Sequence, residues 1–171
     1  FKLLGKYSEA LKTYEKALTI ADMLEDKKLS LSIKGNMANM LLQKGDYLKA
    51  IEKYEETTTE YLELGDSVNY YFALNNIGRC YYHLGNYVEA LPIFFETGEF
   101  EKSANKKYQL ADTYNYMGLL YSKLELYDES LKMLEKSLQL YKEIGNTMKV
   151  GLISLHIGNH YGKTEDLEKS D

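Results

Sequence analysis

His156 and His160 stand four residues apart. On a helix that spacing turns both imidazoles to one face, where they could ligate a transition metal. Two ligands do not make a site, however. Glu165 is the nearest acid, the HExxH arrangement of a metalloprotease is absent, and Cys80 is the single cysteine, so no metal is expected. The third histidine, His83, has no carboxylate or nucleophile beside it and reads as a binding residue rather than a catalytic base. Cys80 falls in a small-residue column of a packed helix face and reads as a buried, inert thiol. Phosphate-cradling glycine loops, Ser-His-Asp sets and facing acid-base carboxylates do not appear. Neither catalysis by this segment nor a cofactor is expected.

The chemistry that remains belongs to amides, aromatics and one guanidinium, and the elements that must position them are helices. The chain has 171 residues with 44% apolar side chains and a single proline, a composition for helices rather than turn-rich sheets. Its 26 acidic residues against 21 basic ones leave a net charge of −5, which argues against nucleic acid or an anionic membrane as partner. No apolar run approaches the ~18 residues of a membrane span. A lone cysteine fits a reducing, cytoplasmic setting.

Written in rows of forty, the sequence aligns without a gap. Gly5-Lys6-Tyr7, Gly45-Asp46-Tyr47, Gly85-Asn86-Tyr87 and Glu125-Leu126-Tyr127 share columns, as do Ala10, Ala50, Ala90 and Ser130. Four tyrosines in one preset column is a coincidence of about one in 10⁴, and a fixed period of this length marks a solenoid. Each repeat carries two helical patterns. Tyr47, Ala50, Ile51, Tyr54, Thr58 and Tyr61 fall on one face of the first example, with Lys49, Glu52, Lys53 and Glu56 opposite. In the next, Tyr70, Leu74, Ile77, Gly78, Tyr81 and Leu84 share a face, and the column Ala38, Gly78, Gly118, Gly158 keeps small residues where a paired helix approaches. Gly65 and Gly145 supply left-handed helix ends, followed by capping oxygens at Asp66 or Ser67 and at Asn146.

The pattern predicts helices at about 6–25, 28–43, 46–64, 67–83, 86–105, 107–123, 126–144 and 147–162. Residues 1–26 form a partial repeat, 27–66, 67–106 and 107–146 three full ones, and 147–171 a second partial, in a single domain. Phe1 to Leu4 read as the stub of a helix lost upstream, and Glu165 to Asp171 as the opening of a further one, as in a piece cut from a longer array. Pro92, with Gly98 after it, is expected to kink or weaken the helix at 86–105.

The run Ala73-Leu74-Asn75-Asn76-Ile77-Gly78-Arg79-Cys80-Tyr81-Tyr82-His83-Leu84-Gly85-Asn86-Tyr87-Val88-Glu89-Ala90-Leu91 resembles a tetratricopeptide repeat, with its Leu-Gly, Gly-x-Tyr and Ala hallmarks. The period exceeds the commoner ~34 residues. It is similar to the forty-residue versions in bacterial peptide-sensing regulators, in kinesin light chain and in the polarity adaptor that binds heterotrimeric G-protein subunits. The resemblance implies an all-α, right-handed superhelical solenoid of antiparallel helix pairs, with a concave groove lined by the first helix of each repeat.

Opposite the packed face of helix 67–83 lie Phe72, Asn75, Asn76, Arg79, Tyr82 and His83. The same columns hold Asn36, Asn39 and Gln43 before it, Asp112, Asn115, Tyr116, Ser122 and Lys123 after it, and Asn159 and Lys163 at the end. Arg79, Lys123 and Lys163 against Asp112 make this set basic within an acidic chain, suited to a peptide with some negative charge. Each asparagine amide offers a donor and an acceptor, so a ladder of them can grip the backbone of an extended peptide, with pockets beside Phe72, Tyr82 and Tyr116 reading side chains. Arg79 is the only arginine, a planar fork for a carboxylate or a ring, or one half of a salt bridge. The chaperone-cofactor version of the fold clamps a terminal carboxylate with lysines, asparagines and an arginine. At the corresponding positions stand Gly35, Asn39, Asn76, Asp112 and Tyr116, with every cation missing, which speaks against that ligand.

The expected function is therefore a non-enzymatic scaffold that binds a protein or peptide segment in its groove, as a sensory or docking module of a larger signalling protein. Two other readings stand beside it: a regulatory array of a kinase, cyclase or phosphatase-like enzyme whose catalytic domain lies elsewhere, and end-to-end self-association through truncated repeat ends.

Overall fold

In a computed structural model that describes residues 2–168, the chain forms eight helices: α1 Lys2–Met23, α2 Lys27–Lys44, α3 Tyr47–Glu63, α4 Ser67–Leu84, α5 Tyr87–Ser103, α6 Lys107–Lys123, α7 Tyr127–Ile144 and α8 Thr147–Glu168. No strand occurs among the described residues, and no helix is long and apolar enough to cross a membrane. Helices α2, α4, α6 and α8 begin forty residues apart, and so do α3, α5 and α7. The predicted elements agree with these except at the two ends. Helix α1 runs unbroken through Gly5 where a separate upstream stub was expected, and α8 continues through Gly162 to Glu168 where a turn was expected. Ser170, placed by the sequence in a further helix, lies outside the described residues. Helix α5 remains helical through Pro92 and Gly98. Proline has no N–H, so the carbonyl of Val88 loses its partner four residues on.

Residues up to Ala90 form one compact unit and residues from Leu91 a second. In the first, α2 packs on α1, α3 and α4, and α3 on α4; in the second, α6, α7 and α8 pack pairwise. The helices stay together because the second helix of each repeat buries a column of small and a column of large residues. Ala50, Ala90 and Ser130 are all fully buried, and so are Tyr54, Phe94 and Leu134 four residues later. Thr57, Thr97 and Ser137 form the next buried column, so Thr57 rather than the expected Thr58 faces inward. Ser130 departs from the alanine pattern at no cost in unsatisfied polarity, since its hydroxyl donates to the Gly118 carbonyl at 2.8 Å.

The turns repeat at half the period of the sequence. At seven successive turns, from Asp26 N–H to the Ala21 carbonyl through Asn146 N–H to the Tyr141 carbonyl, the same bond closes the helix end at 2.7–3.0 Å. A left-handed residue sits just before the donor each time, at Gly45, Gly65, Gly85 and Gly145, but also at Glu25, Asn105 and Glu125, with φ between 53° and 61° for those three. The start of each first helix is capped in three of four repeats: Asp26 accepts from Leu29 N–H, Asp66 from Asn69 N–H and Asn146 from Lys149 N–H. At the fourth such position Lys106 has no acceptor to offer. Lys106→Asp is therefore expected to stabilise the chain by about 1 kcal/mol and to raise the thermal midpoint by about 2–4 °C. A melt of the variant that is unchanged or lower would show that α6 does not begin there.

Candidate binding faces

In the first unit, α2 and α4 lie side by side across α3, and a chain of side chains ties all three. The Tyr54 hydroxyl on α3 donates to Asn39 Oδ1 on α2 at 2.6 Å, Asn76 Nδ2 on α4 donates to the same oxygen at 3.4 Å, and Arg79 Nη1 donates to Asn76 Oδ1 at 2.7 Å. Asn76 is 1% exposed, although the helical wheel puts it opposite the packed face. The wheel allows one packed face, whereas α4 is covered by α3 and by α2, and Asn76 points into the seam between the two first helices. Arg79 thus orients an amide of its own protein. Asn36, Gln43, Phe72 and His83 are exposed, and Asn75 and Tyr82 half-buried. The His83 ring stacks on Tyr47 at 5.0 Å and meets the Tyr82 ring edge-on at 5.4 Å. Burial and the Arg79 charge hold its imidazole below the usual pKa, so it presents a neutral ring at pH 7.

A cleft of about 490 Å³ opens between α2 and α4, with Tyr54, Thr57 and Tyr61 of α3 as its floor. Asn36, Asn39 and Phe72 of the sequence-derived set line it, together with Gly35, which the sequence placed only at a carboxylate-clamp position, and with Lys28, Ser32 and Asn69, which it did not single out. The signal was Gly35, the only glycine in a column that elsewhere holds Asn75, Asn115 and Leu155. Cys80 is fully buried, and burial pushes its thiol up to about 12.

The corresponding face of the second unit is closed by its own side chains. Lys149 on α8 pairs with Asp112 on α6 at 2.7 Å, its ammonium lies 5.8 Å from the Tyr108 ring centre and 5.5 Å from that of Tyr141, and the Tyr141 hydroxyl donates to Asp112. Burial and this carboxylate push the Tyr141 phenol far above its usual range. Asn115, expected on the open face, is 6% exposed and faces His156 Nδ1 at 2.9 Å. Tyr116 stacks on Phe94 at 5.7 Å, while Lys123 and Asn159 are exposed and Lys163 reaches the Ser122 hydroxyl at 3.4 Å. His160 lies buried with its ring edge-on to Tyr127 at 5.9 Å, and among the described residues no three His, Cys, Asp or Glu side chains are grouped to hold a metal ion.

Residues 1–58 and 29–96 each match one tetratricopeptide repeat profile, and residues 110–144 match a second profile of the same description. No curated protein matches the sequence. Among solved structures, the chain is similar to BtubC (BKLC) from P. vanneervenii, with a TM-score of 0.71 at 21% identity over 96% of this chain and 76% of that one. It is also similar to the nearly identical TPR-like repeats of a candidate kinesin light chain from Podosopora anserina, with a TM-score of 0.56 at 14% identity over 96% of this chain and 91% of that one. At these identities the likeness is one of fold.

Proposed function

This chain belongs to the tetratricopeptide repeat family, whose repeats generally mediate protein–protein interaction, and we propose that it holds a peptide or protein segment on its first helices. In that reading it serves as the docking or sensory part of a larger regulatory protein. The observation that carries the proposal is the open cleft between α2 and α4, rimmed by exposed Asn36 and Phe72 where the second unit fills the corresponding space with its own side chains. Amides along such a face suit the backbone of an extended segment, which carries one donor and one acceptor per residue.

The test is partner recovery on immobilised chain beside a variant carrying Asn36→Ala, Phe72→Ala and His83→Ala. All three side chains are exposed, and the largest expected cost is the His83 ring contacts with Tyr47 and Tyr82, about 1 kcal/mol, so the fold should be kept. Recovery of the partner is expected to fall at least tenfold. Leu48→Ser with Val88→Ser, at 71% and 82% exposure on the second helices, should leave it unchanged. If the second variant loses the partner and the first keeps it, the first helices are not the binding face.

A further inference from the structure

We infer that the cleft between α2 and α4 is a socket for one aromatic side chain, tyrosine above all, of the bound segment. The inference rests on the peptide-binding reading above and names what the peptide must carry. It comes from comparing the same columns eighty residues apart. Ser32, Gly35 and Asn69 of the first unit correspond to Asp112, Asn115 and Lys149 of the second. In the second unit the Lys149 chain crosses to Asp112 over two tyrosine rings, and Asn115 reaches across to His156, so the space between the first helices is occupied. Deeper in the core the two units differ in a compensating way: Leu31 and Ala73 stand where Ala111 and Ile153 stand, a large and a small residue exchanged, all four buried. What remains uncompensated is the smaller set above that layer. The cleft is thus the volume that Asp112, Asn115 and Lys149 fill from within.

The walls decide what fits. The Tyr61 ring forms part of the floor, and Leu64 and Phe72, 51% and 47% exposed, stand at the rim. Apolar walls of this kind take an apolar body. The polar groups decide the tip. Neither the Ser32 hydroxyl, nor the Tyr61 hydroxyl, nor the Asn36 amide makes a hydrogen bond to another side chain among the described residues, and each can accept from or donate to a phenol. Lys28 and Asp66 both border the cleft and offset each other, so its charge selects neither an anionic nor a cationic tip. The chain seats its own phenols in this way, Tyr54 against Asn39 and Tyr141 against Asp112.

The experiment selects a phage-displayed library of random twelve-residue peptides on the whole chain and measures binding of the enriched peptides to variants. The enriched peptides are expected to share one aromatic position whose replacement by alanine weakens binding at least tenfold. Ser32→Asp with Asn69→Lys, which copies the Asp112–Lys149 pair into the cleft, is expected to weaken binding at least tenfold while leaving the helical circular dichroism and the melting midpoint unchanged. The reversed graft, Ser32→Lys with Asn69→Asp, should do the same, because filling rather than field is the cause. Should a graft fail to fold, Gly35→Asn blocks the same space, since a Cβ there meets only the Tyr61 hydroxyl at 3.5 Å, an ordinary contact. Peptides that share an acidic or basic residue instead, or that bind the grafts as tightly as the parent, overturn the socket and leave peptide binding standing. Enrichment of no peptide overturns both.

Discussion

Gly118→Ala is expected to destabilise the chain by about 2 kcal/mol, whereas Gly158→Ala, forty residues on in the same column, is expected to stabilise it by about 1 kcal/mol. A Cβ on Gly118 would lie 2.7 Å from Leu134 Cγ, 2.9 Å from its Cδ2 and 3.2 Å from the Ser130 carbonyl oxygen. None of these can yield easily. Cγ is a branch point, the oxygen is backbone, and Leu134 is 1% exposed in a cluster with Ala111, Tyr141 and Ile153. Overpacking of this kind costs about 1–3 kcal/mol or more, against about 1 kcal/mol gained from replacing glycine by alanine in a helix. Around Gly158 nothing lies within 4 Å of the added carbon, so only the helix gain remains. The sequence reads this column as one packing requirement, and the structure gives the two glycines different surroundings. Urea unfolding of both variants decides the matter: a Gly118→Ala chain more stable than the parent would mean that α6 and α7 are not in close approach.

That contrast also marks how far the residues alone could be read. The forty-residue register carries the helix order, since Tyr47, Tyr87 and Tyr127 each open a second helix and Gly45, Gly65, Gly85 and Gly145 fall at turns. Periodicity of apolar residues says which side is buried only when a helix has one neighbour. Helices α4 and α6 each have contacts from two directions, so Asn76 and Asn115, polar residues on the far side of the wheel, end in the seams between first helices. Hydrogen bonds across those seams join residues 37 and 41 apart in sequence, as in Asn39–Asn76 and Asn115–His156, an offset that the forty-residue alignment hides. The cleft left only the faint mark of Gly35 in its column, for a different reason. It is a difference in volume between Ser32, Gly35 and Asn69 and their counterparts, and volume leaves no mark in a hydrophobic pattern. Glu101 shows the same limit for charge, because among 26 acidic residues nothing in its spacing sets it apart from a solvated one.

Glu101 is expected to make stability fall as pH rises through neutrality, by about 3 kcal/mol from this group alone. It occupies the column of Tyr61 and Tyr141, is 5% exposed, and accepts a hydrogen bond from the Thr113 hydroxyl at 2.7 Å. Burial raises its carboxyl from the ordinary 4.5 to about 7; the Thr113 hydrogen bond opposes the rise and the Asp112 charge adds to it. A folded pKa above the unfolded one means that the folded state holds the proton more tightly. The contribution is then complete below pH 4.5 and lost as pH climbs through 7. His83 and His156 work in the other direction within the same window, because burial holds both below their usual pKa and their contribution is lost as pH falls. Asp46 and Glu143, held low by Lys44 and Lys107, lose theirs only on the acid side of the ordinary carboxylate range. The informative quantity is therefore the difference between the parent and Glu101→Gln, in which these other groups cancel. The variant should match the parent to within about 1 kcal/mol at pH 4, where both side chains are neutral, and exceed it by about 2–3 kcal/mol at pH 8, where the parent must bury a charge. Denaturant unfolding of the two chains from pH 4 to 8 measures it. A difference that stays flat with pH would show that Glu101 titrates in the folded chain as it does in the unfolded one, and that solvent reaches the α5–α6 contact in which Thr113 holds it.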